Sequence, residues 1–558
     1  MKRITLFLLS AIFTTAAFSQ NVNCYRIYLH DKEGTPYSID QPEEFLSQRC
    51  LDKRARYDVP VTEQDLPLSP TYISAIEGVS AQLRVLSKSK WTNTLTVWCP
   101  DTARMADVRA LAFVDSVKPV GFYESMDNRL FDDLPVYDQA VNPSDSTTYG
   151  KGAAQLALHN GQLLHAQGYR GEGMLIAMLD AGWLAFERTP WFANLYENGQ
   201  IWGTRNFVPG MENVYLGHSH GTSCASTIVS NVFANDTLVG VAPNANIFFI
   251  RTEDPEFEML IEEDFFAAGL EVADSIGADI VTASLGYTRF DDSSFVFDYS
   301  SCDGHTSICS QAATIAAHKA MVVCSAAGND GANEWHKLSR PSDAEDILCV
   351  GAVNVDSVYA PFSSCGPSYD GRVKPDVVSC GYDTYVVAPG TYDGENPFHY
   401  MVIYAGNGTS FATPIMAGMA TCLWQALPQL NSLEIMQIIR ESGHQYNAPD
   451  TLLGYGIPNI YQAWLDHRTD GIAAPLLPTV TFTAFPNPCS SQLTIRNPGH
   501  ESVNICAFDL RGRVVFADNS FKNNDLQSIN TTSWPAGTYL VRVQRQWGRA
   551  EIIKVVKE

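Results

Sequence analysis

Apolar residues in this chain gather into short runs of strand length, separated by longer stretches whose apolar positions recur at helical spacing. Residues 174–179, 247–250, 279–283, 321–325 and 347–353 are such runs, most of them rich in branched side chains, and they predict strands buried on both faces. Between several of them lie amphipathic segments. Residues 262–276 and 310–319 carry one apolar face, and 411–427 is long, apolar and nearly free of charge, as a buried helix must be. Alternating strands and helices predict an α/β fold, a parallel sheet covered by helices on both faces. In such a sheet ligands bind beyond the carboxyl ends of the strands. Asp180, Ser284 and Asn329 all fall just past a predicted strand end.

The pattern changes toward both ends. Residues 25–29 and 95–98 read as strands with a charged helix, 43–56, between them, an α+β arrangement. Beyond residue 478 a period of two takes over: Leu493/Ile495, Val503/Ile505, Val514/Phe516 and Tyr539/Val541/Val543 predict a small β-sandwich. The stretch 127–152, rich in Asp, Pro, Ser and Gly, reads as an exposed, cleavable linker. Lys2 and Arg3 precede an apolar run over 4–13 and then Ala17-Phe18-Ser19, which is the pattern of a signal peptide. That run is too short to cross a bilayer, and no later stretch reads as an integral membrane segment. The organisation predicted is 1–19 signal, 20–145 an N-terminal domain with its linker, 146–467 the main domain and 478–558 the sandwich.

Composition narrows the choices. At 558 residues, 45% hydrophobic and 18% charged, the chain is globular and too long for one domain. Lys+Arg 37 against Asp+Glu 61 gives a net charge of −24, which argues against a nucleic-acid partner. An exported chain can pair its thirteen cysteines, and Cys302 with Cys309, an Asp-Gly turn between them, is the best local pair. Cys224 and Cys324 read as packed free thiols. There is no CxxC pair for a metal. No cofactor is expected. The acidic stretches 252–264 and 290–303 lack EF-hand spacing and read as solvated loops, with calcium left as an alternative of undefined site.

Three motifs carry the chemistry. Leu179-Asp180-Ala181-Gly182 ends an apolar run, His220-Gly221-Thr222 opens a segment of small residues, and Gly408-Thr409-Ser410-Phe411-Ala412-Thr413-Pro414 opens the buried helix. A serine hydroxyl is a poor nucleophile at neutral pH and needs a base, and a histidine base needs a carboxylate to hold its tautomer. The order Asp, His, Ser is that of subtilisin, which is also the standard illustration of this chain order. The residues around the three resemble the subtilisin-like serine peptidases. Val239-Gly240-Val241-Ala242-Pro243, Ala283-Ser284-Leu285-Gly286 and Ala326-Ala327-Gly328-Asn329 match three further motifs of that family, in its order, over roughly 150–467.

The resemblance implies a subtilisin-like fold and a secreted serine endopeptidase acting on protein or peptide substrates. It implies Asp180, His220 and Ser410 as the triad, Asn329 as an oxyanion-hole donor, and Ser284, Leu285 and Gly286 as a substrate-binding edge. It also implies that 20–145 is a propeptide and the protein a zymogen. His218 competes with His220 for the base, but only His220 is followed by Gly-Thr at a predicted helix start. The α/β-hydrolase alternative fails, because position 412 is Ala where that elbow needs Gly and the chain order differs. A catalytically idle relative used for binding or adhesion is the alternative function. Phe485-Pro486-Asn487-Pro488, Gly537-Thr538-Tyr539-Leu540-Val541 and the Lys554-Val555-Val556-Lys557 ending resemble the C-terminal sorting domain of the type IX secretion system in Bacteroidetes. That implies type IX machinery as a partner and delivery across the outer membrane.

Overall fold

The structure, a computed structural model, describes residues 22–129, 149–231, 237–295, 297–390, 400–468, 482–496, 503–521, 526–545 and 550–558. The expected signal peptide and most of the expected 127–152 linker lie outside them.

The N-terminal domain is a four-stranded antiparallel sheet of β1 (Cys24–Leu29), β2 (Arg84–Ser89), β3 (Thr94–Trp98) and β4 (Val114–Gly121), in the order β2-β3-β1-β4. Alternation along β1 sets its two faces. Ile27 and Leu29 point into a core shared with Leu95, Val97, Ile76 and Met105. Arg26 points the other way, onto a helix of the main domain. The segment read as one charged helix over 43–56 is divided. A 3-10 turn, Pro42–Glu44, is followed by a helix, Gln48–Arg56, whose start is fixed by Ser47 accepting the Cys50 N–H at 3.2 Å.

The main domain is built on seven strands, all parallel: β5 (Leu175–Asp180), β6 (Ile201–Asn206), β7 (Asn246–Arg251), β8 (Ile280–Ala283), β9 (Val322–Ala326), β10 (Leu348–Val353) and β11 (Val377–Cys380). Their order, β11-β10-β9-β8-β5-β7-β6, gives a doubly wound sheet. From β5 the chain builds β6 and β7 on one side, then crosses to build β8 through β11 on the other. The direction of winding therefore reverses beside β5, and a crevice opens there at the carboxyl ends. Helices His220–Val229, Glu262–Ser275, Ile308–His318 and Thr409–Ala426 cover the sheet. A hairpin of β12 (Thr384–Gly390) and β13 (Tyr400–Gly406) leads directly into the last of these.

The five central strands lie where the apolar runs place them. The two edge strands, β6 and β11, were not read from the sequence. The first is only partly buried and carries Thr204, Arg205 and Asn206, and the second is four residues long.

The C-terminal domain has two antiparallel sheets. One holds β14 (Thr483–Phe485), β15 (Gln492–Arg496) and β18 (Leu526–Asn530); the other holds β16 (Val503–Asp509), β17 (Val514–Phe521), β19 (Gly537–Arg545) and β20 (Ala550–Lys557). Leu493, Ile495, Val503, Ile505, Val541 and Val543 face the shared core as the alternation predicts, whereas Val514 is exposed, because β17 is an edge strand.

Two expectations are corrected. Cys302 and Cys309 are not bonded, and all thirteen cysteines are free. The Cys302 thiol turns to the Leu338 carbonyl at 3.8 Å, while Cys309 sits in the first turn of its helix with Sγ 3.3 Å from Ser307 Oγ. The acidic stretch 252–264 is not a solvated loop either. Asp254, Glu262, Glu263 and Asp264 are buried and hydrogen-bonded or ion-paired. Among the described residues no helix is long and apolar enough to cross a membrane.

Candidate active site

Asp180 is the last residue of β5, at the reversal of the sheet, and its side chain is only 3% exposed. His220 opens the helix His220–Val229 directly above it. The two carboxylate oxygens lie 2.8 and 3.0 Å from His220 Nδ1, and the Ala181 N–H donates to the same carboxylate at 2.8 Å. With Nδ1 facing Asp180, the ring's other nitrogen is the one left for chemistry. Burial disfavours the imidazolium, but the neighbouring Asp180 charge more than offsets it, and the pKa of His220 stands well above the usual 6.5. His218 lies in the turn before the helix, where its Nδ1 accepts the His220 N–H at 3.3 Å, a capping role.

Ser410 is the second residue of the helix Thr409–Ala426, so its side chain stands at the positive end of a long helix dipole. The helix contains Pro414, four residues on, which has no N–H to give to the Ser410 carbonyl. Two other donors take that oxygen: Ser284 Oγ at 2.7 Å and Cys224 Sγ at 3.3 Å. The Ser410 hydroxyl donates in turn to the Ser284 carbonyl at 3.2 Å. Cys224 ties the two halves of the site together. Its sulfur also lies 3.8 and 4.0 Å from the nitrogens of His220, and the Phe411 ring stacks 6.3 Å from the imidazole.

Asn329 follows β9 on an exposed turn. Its Oδ1 accepts the Thr409 N–H at 2.9 Å and the Thr409 hydroxyl at 3.0 Å. That fixes the amide's acceptor half at the residue before Ser410 and leaves its N–H₂ half as the donor. Ser284 is buried, Leu285 half-buried and Gly286 exposed, in the segment that leaves the carboxyl end of β8. The structure thus brings together every site residue read from the sequence.

One structural residue of the site was missed. Arg251 ends β7 beside Asp180, and its guanidinium donates to the carbonyls of Ala181 (2.8 Å), Met211 (2.9 Å), Asn213 (3.1 Å), Val214 (3.0 Å) and Leu216. All five N–H groups go to main chain. Burial lowers its pKa to about 10. It pins the Ala181-Gly182 turn to the 211–216 loop, and a lone arginine after an apolar strand carries no sequence signal of that task.

A carboxylate, imidazole and serine in this chain order, at the carboxyl ends of a doubly wound parallel sheet, define a serine hydrolase of the subtilisin architecture. The chain belongs to the subtilase family, whose profile matches residues 171–456, about half of its length. Two further profiles match: the peptidase S8 propeptide domain of Bacteroidota over 24–130, and the secretion system C-terminal sorting domain over 483–558. Subtilisin E of Bacillus subtilis is 28% identical over 308 residues, 54% of this chain and 68% of that protein. A thermophilic serine proteinase of a Bacillus species is 30% identical over 246 residues, 44% of this chain and 52% of that one. Among solved structures, fervidolysin from Fervidobacterium pennivorans, a keratinolytic enzyme related to subtilisin, superposes with a TM-score of 0.50 at 18% identity over 96% of this chain and 76% of that chain, a likeness of fold. The chain is a serine endopeptidase made as a zymogen, and its C-terminal sorting domain directs it to the cell surface or beyond.

Proposed function

We propose that Ser410 is the nucleophile of peptide-bond hydrolysis, with His220 as the base that takes its proton and later gives it to the leaving amine. Asp180 holds the imidazole in the productive tautomer and stabilises the imidazolium. The hydroxyl must first turn from the Ser284 carbonyl toward His220. Attack on the substrate carbonyl forms a tetrahedral oxyanion, to which the Asn329 amide and the Ser410 N–H donate, and its collapse expels the amine and leaves an acyl-enzyme. Water, activated by the same imidazole, releases the acid. Ser284, Leu285 and Gly286 carry the edge along which the substrate main chain lies. Protein groups carry every step, and no cofactor is assigned.

The observation that carries this reading is the pair of 2.8 and 3.0 Å contacts between Asp180 and His220, with Ser410 joined to the same histidine through Cys224. In the full chain, Ser410→Ala folds but hydrolyses no peptide, and a serine-directed phosphonate labels the wild-type protein at Ser410 alone. Full activity in the alanine variant would overturn the assignment.

The partner of residues 483–558 is, in the same proposal, an outer-membrane secretion apparatus of the type IX kind. Removing them leaves a peptidase active in extracts and absent from the medium. Unchanged export would reject that partner.

A further inference from the structure

The propeptide places one arginine in a recess of the main domain. Arg129 donates to both carboxylate oxygens of Asp254, at 2.8 and 2.6 Å, and lies 3.5 Å from Glu256, with its guanidinium over the Phe257 ring at 5.9 Å. Asp254 has a side-chain exposure of 0%. The arginine's main chain is seated as well. Its N–H donates to the Gly210 carbonyl at 2.8 Å, and Gly210 passes so close that a Cβ there would stand 2.4 Å from the Asp127 oxygen. Gly210 has a φ of 72°, which suits glycine, and the missing side chain lets the propeptide main chain approach there.

The recess belongs to the active face of the sheet. Gly210 follows β6 and Asp254 follows β7, whose end pairs Arg251 with Asp180. Next to Asp254, Glu253 accepts the Tyr287 hydroxyl at 2.8 Å, and Tyr287 directly follows the Ser284–Gly286 edge. Arg129 also lies within the matched propeptide, 24–130, at the start of the 127–152 stretch expected to be cut. When a cut on the carboxyl side of Arg129 releases the propeptide, Asp254 loses its cation. Arg251, the nearest other guanidinium, has every N–H committed to main-chain carbonyls, and no other described cation stands within ion-pair distance of Asp254. An uncompensated carboxylate in a buried recess favours any cationic group that can reach it.

We propose that Asp254, with Glu256, is a substrate subsite of the mature peptidase that takes an arginine or lysine side chain upstream of the scissile bond. The proposal rests on the serine-peptidase reading of the site. In it Arg129 fills the position that a basic side chain of the substrate takes once the propeptide has left, and so previews the substrate class, a basic peptide segment. A planar, two-pronged carboxylate contact favours arginine over lysine.

The test uses mature enzyme processed from the full chain, and peptides that differ only in carrying arginine, citrulline, alanine or glutamate at successive positions upstream of one cleaved bond. At one position arginine raises kcat/KM over citrulline and alanine by about tenfold or more, glutamate lowers it, and added salt narrows the gap. Asp254→Asn, which keeps the shape, abolishes the arginine preference, so that the arginine and citrulline peptides are cleaved at equal rates. Glu256→Gln, at the exposed rim, weakens the preference in part and serves if the first variant does not mature. Cleavage of all peptides with no arginine preference at any position overturns the subsite and leaves the peptidase reading standing, as does a preference that survives Asp254→Asn. Failure of wild-type enzyme to cleave any of them overturns both.

Discussion

Ser284 and Ser410 exchange two hydrogen bonds: the hydroxyl of Ser284 donates to the carbonyl of Ser410 at 2.7 Å, and the hydroxyl of Ser410 to the carbonyl of Ser284 at 3.2 Å. The exchange arises because Pro414 leaves the Ser410 carbonyl without its helical partner. The proposed substrate edge and the proposed nucleophile are thereby fastened to each other. Replacing Ser284 by alanine removes one of two donors to a buried carbonyl and should cost about 1 kcal/mol of stability. Denaturation midpoints compared in the Ser410→Ala background, where autolysis cannot interfere, measure it. An unchanged midpoint would mean that the Cys224 thiol alone satisfies that oxygen.

The Asn329 amide has its oxygen held by Thr409 and its nitrogen free for substrate, so the expected effect of Asn329→Ala falls on turnover. A fall in kcat of roughly 10²–10³-fold with little change in KM is predicted. A loss carried mainly by KM would make Asn329 a binding residue instead.

His220 sets the pH dependence. Burial favours its neutral form, but the charge of Asp180 outweighs burial and raises its pKa above 6.5. A base must be unprotonated, so kcat/KM rises with pH through a midpoint displaced above that value. The sign for stability is opposite. The His220–Asp180 ion pair stabilises the fold fully below the unfolded histidine's pKa, and that contribution disappears as pH rises through the higher folded value. Asp180→Asn should shift the activity midpoint downward as well as lowering kcat by about 10⁴-fold. A profile flat from about pH 5 to 9 would exclude a histidine base.

Cys224 gives the site a second chemistry to test. Its sulfur, Asp180 and His220 present ligand atoms within 4.8 Å of one another, while burial raises the thiol's pKa. Bulky alkylating reagents, which need thiolate and access, should leave activity intact. A soft cation such as mercury(II), which binds sulfur and imidazole together, should inactivate the enzyme at one equivalent. Cys224→Ala should be active and resistant. Equal sensitivity of the variant would place the inhibition at another of the thiols.

Much of this site was legible in the sequence, and the physical reasons are specific. Asp180, His220, Ser410 and Asn329, the residues of the proposed triad and oxyanion hole, sit at or just past strand ends and helix starts, where local pattern and local chemistry coincide. The five central strands were legible because burial on both faces makes them continuously apolar. The edge strands β6 and β11 were not, since one is half-buried with a polar end and the other has only Val377-Val378 as an apolar run before Ser379 and Cys380. Arg251 and Asp254 were illegible for another reason. Their partners are loop carbonyls far along the chain and an arginine 125 residues away, relations that no local window contains. The Cys302–Cys309 pairing was inferred from proximity in sequence, which does not decide where two thiols point.

The propeptide interface yields the last prediction. Arg54 is buried between Asp65 of its own domain, at 3.0 and 2.9 Å, and Asp274 of the main domain, at 2.6 Å, and Lys319 of the main domain reaches Asp65 at 2.9 Å. Asp65 is penalised by burial, but its bonds to Arg54 and Lys319 hold its pKa far below the usual carboxylate range. A depressed carboxylate pKa contributes stability at pH above the unfolded value and loses it only as pH falls through the folded one. Mild acid should therefore not release the propeptide, and cutting between the domains is required. Arg54→Met removes the shared cation and leaves buried Asp65 with Lys319 and buried Asp274 with only the more distant Lys90, at 3.9 Å, a change that costs about 3–5 kcal/mol when one partner of a buried pair is lost. Arg54 lies in the removed segment and touches no predicted catalytic group. The variant should thus yield much less mature enzyme from the full chain, while each mature molecule, counted by phosphonate titration, works at the wild-type rate. Normal yield would show that the buried pair is dispensable for maturation, and a lowered rate per titrated site would show that the propeptide contact leaves its mark on the mature fold.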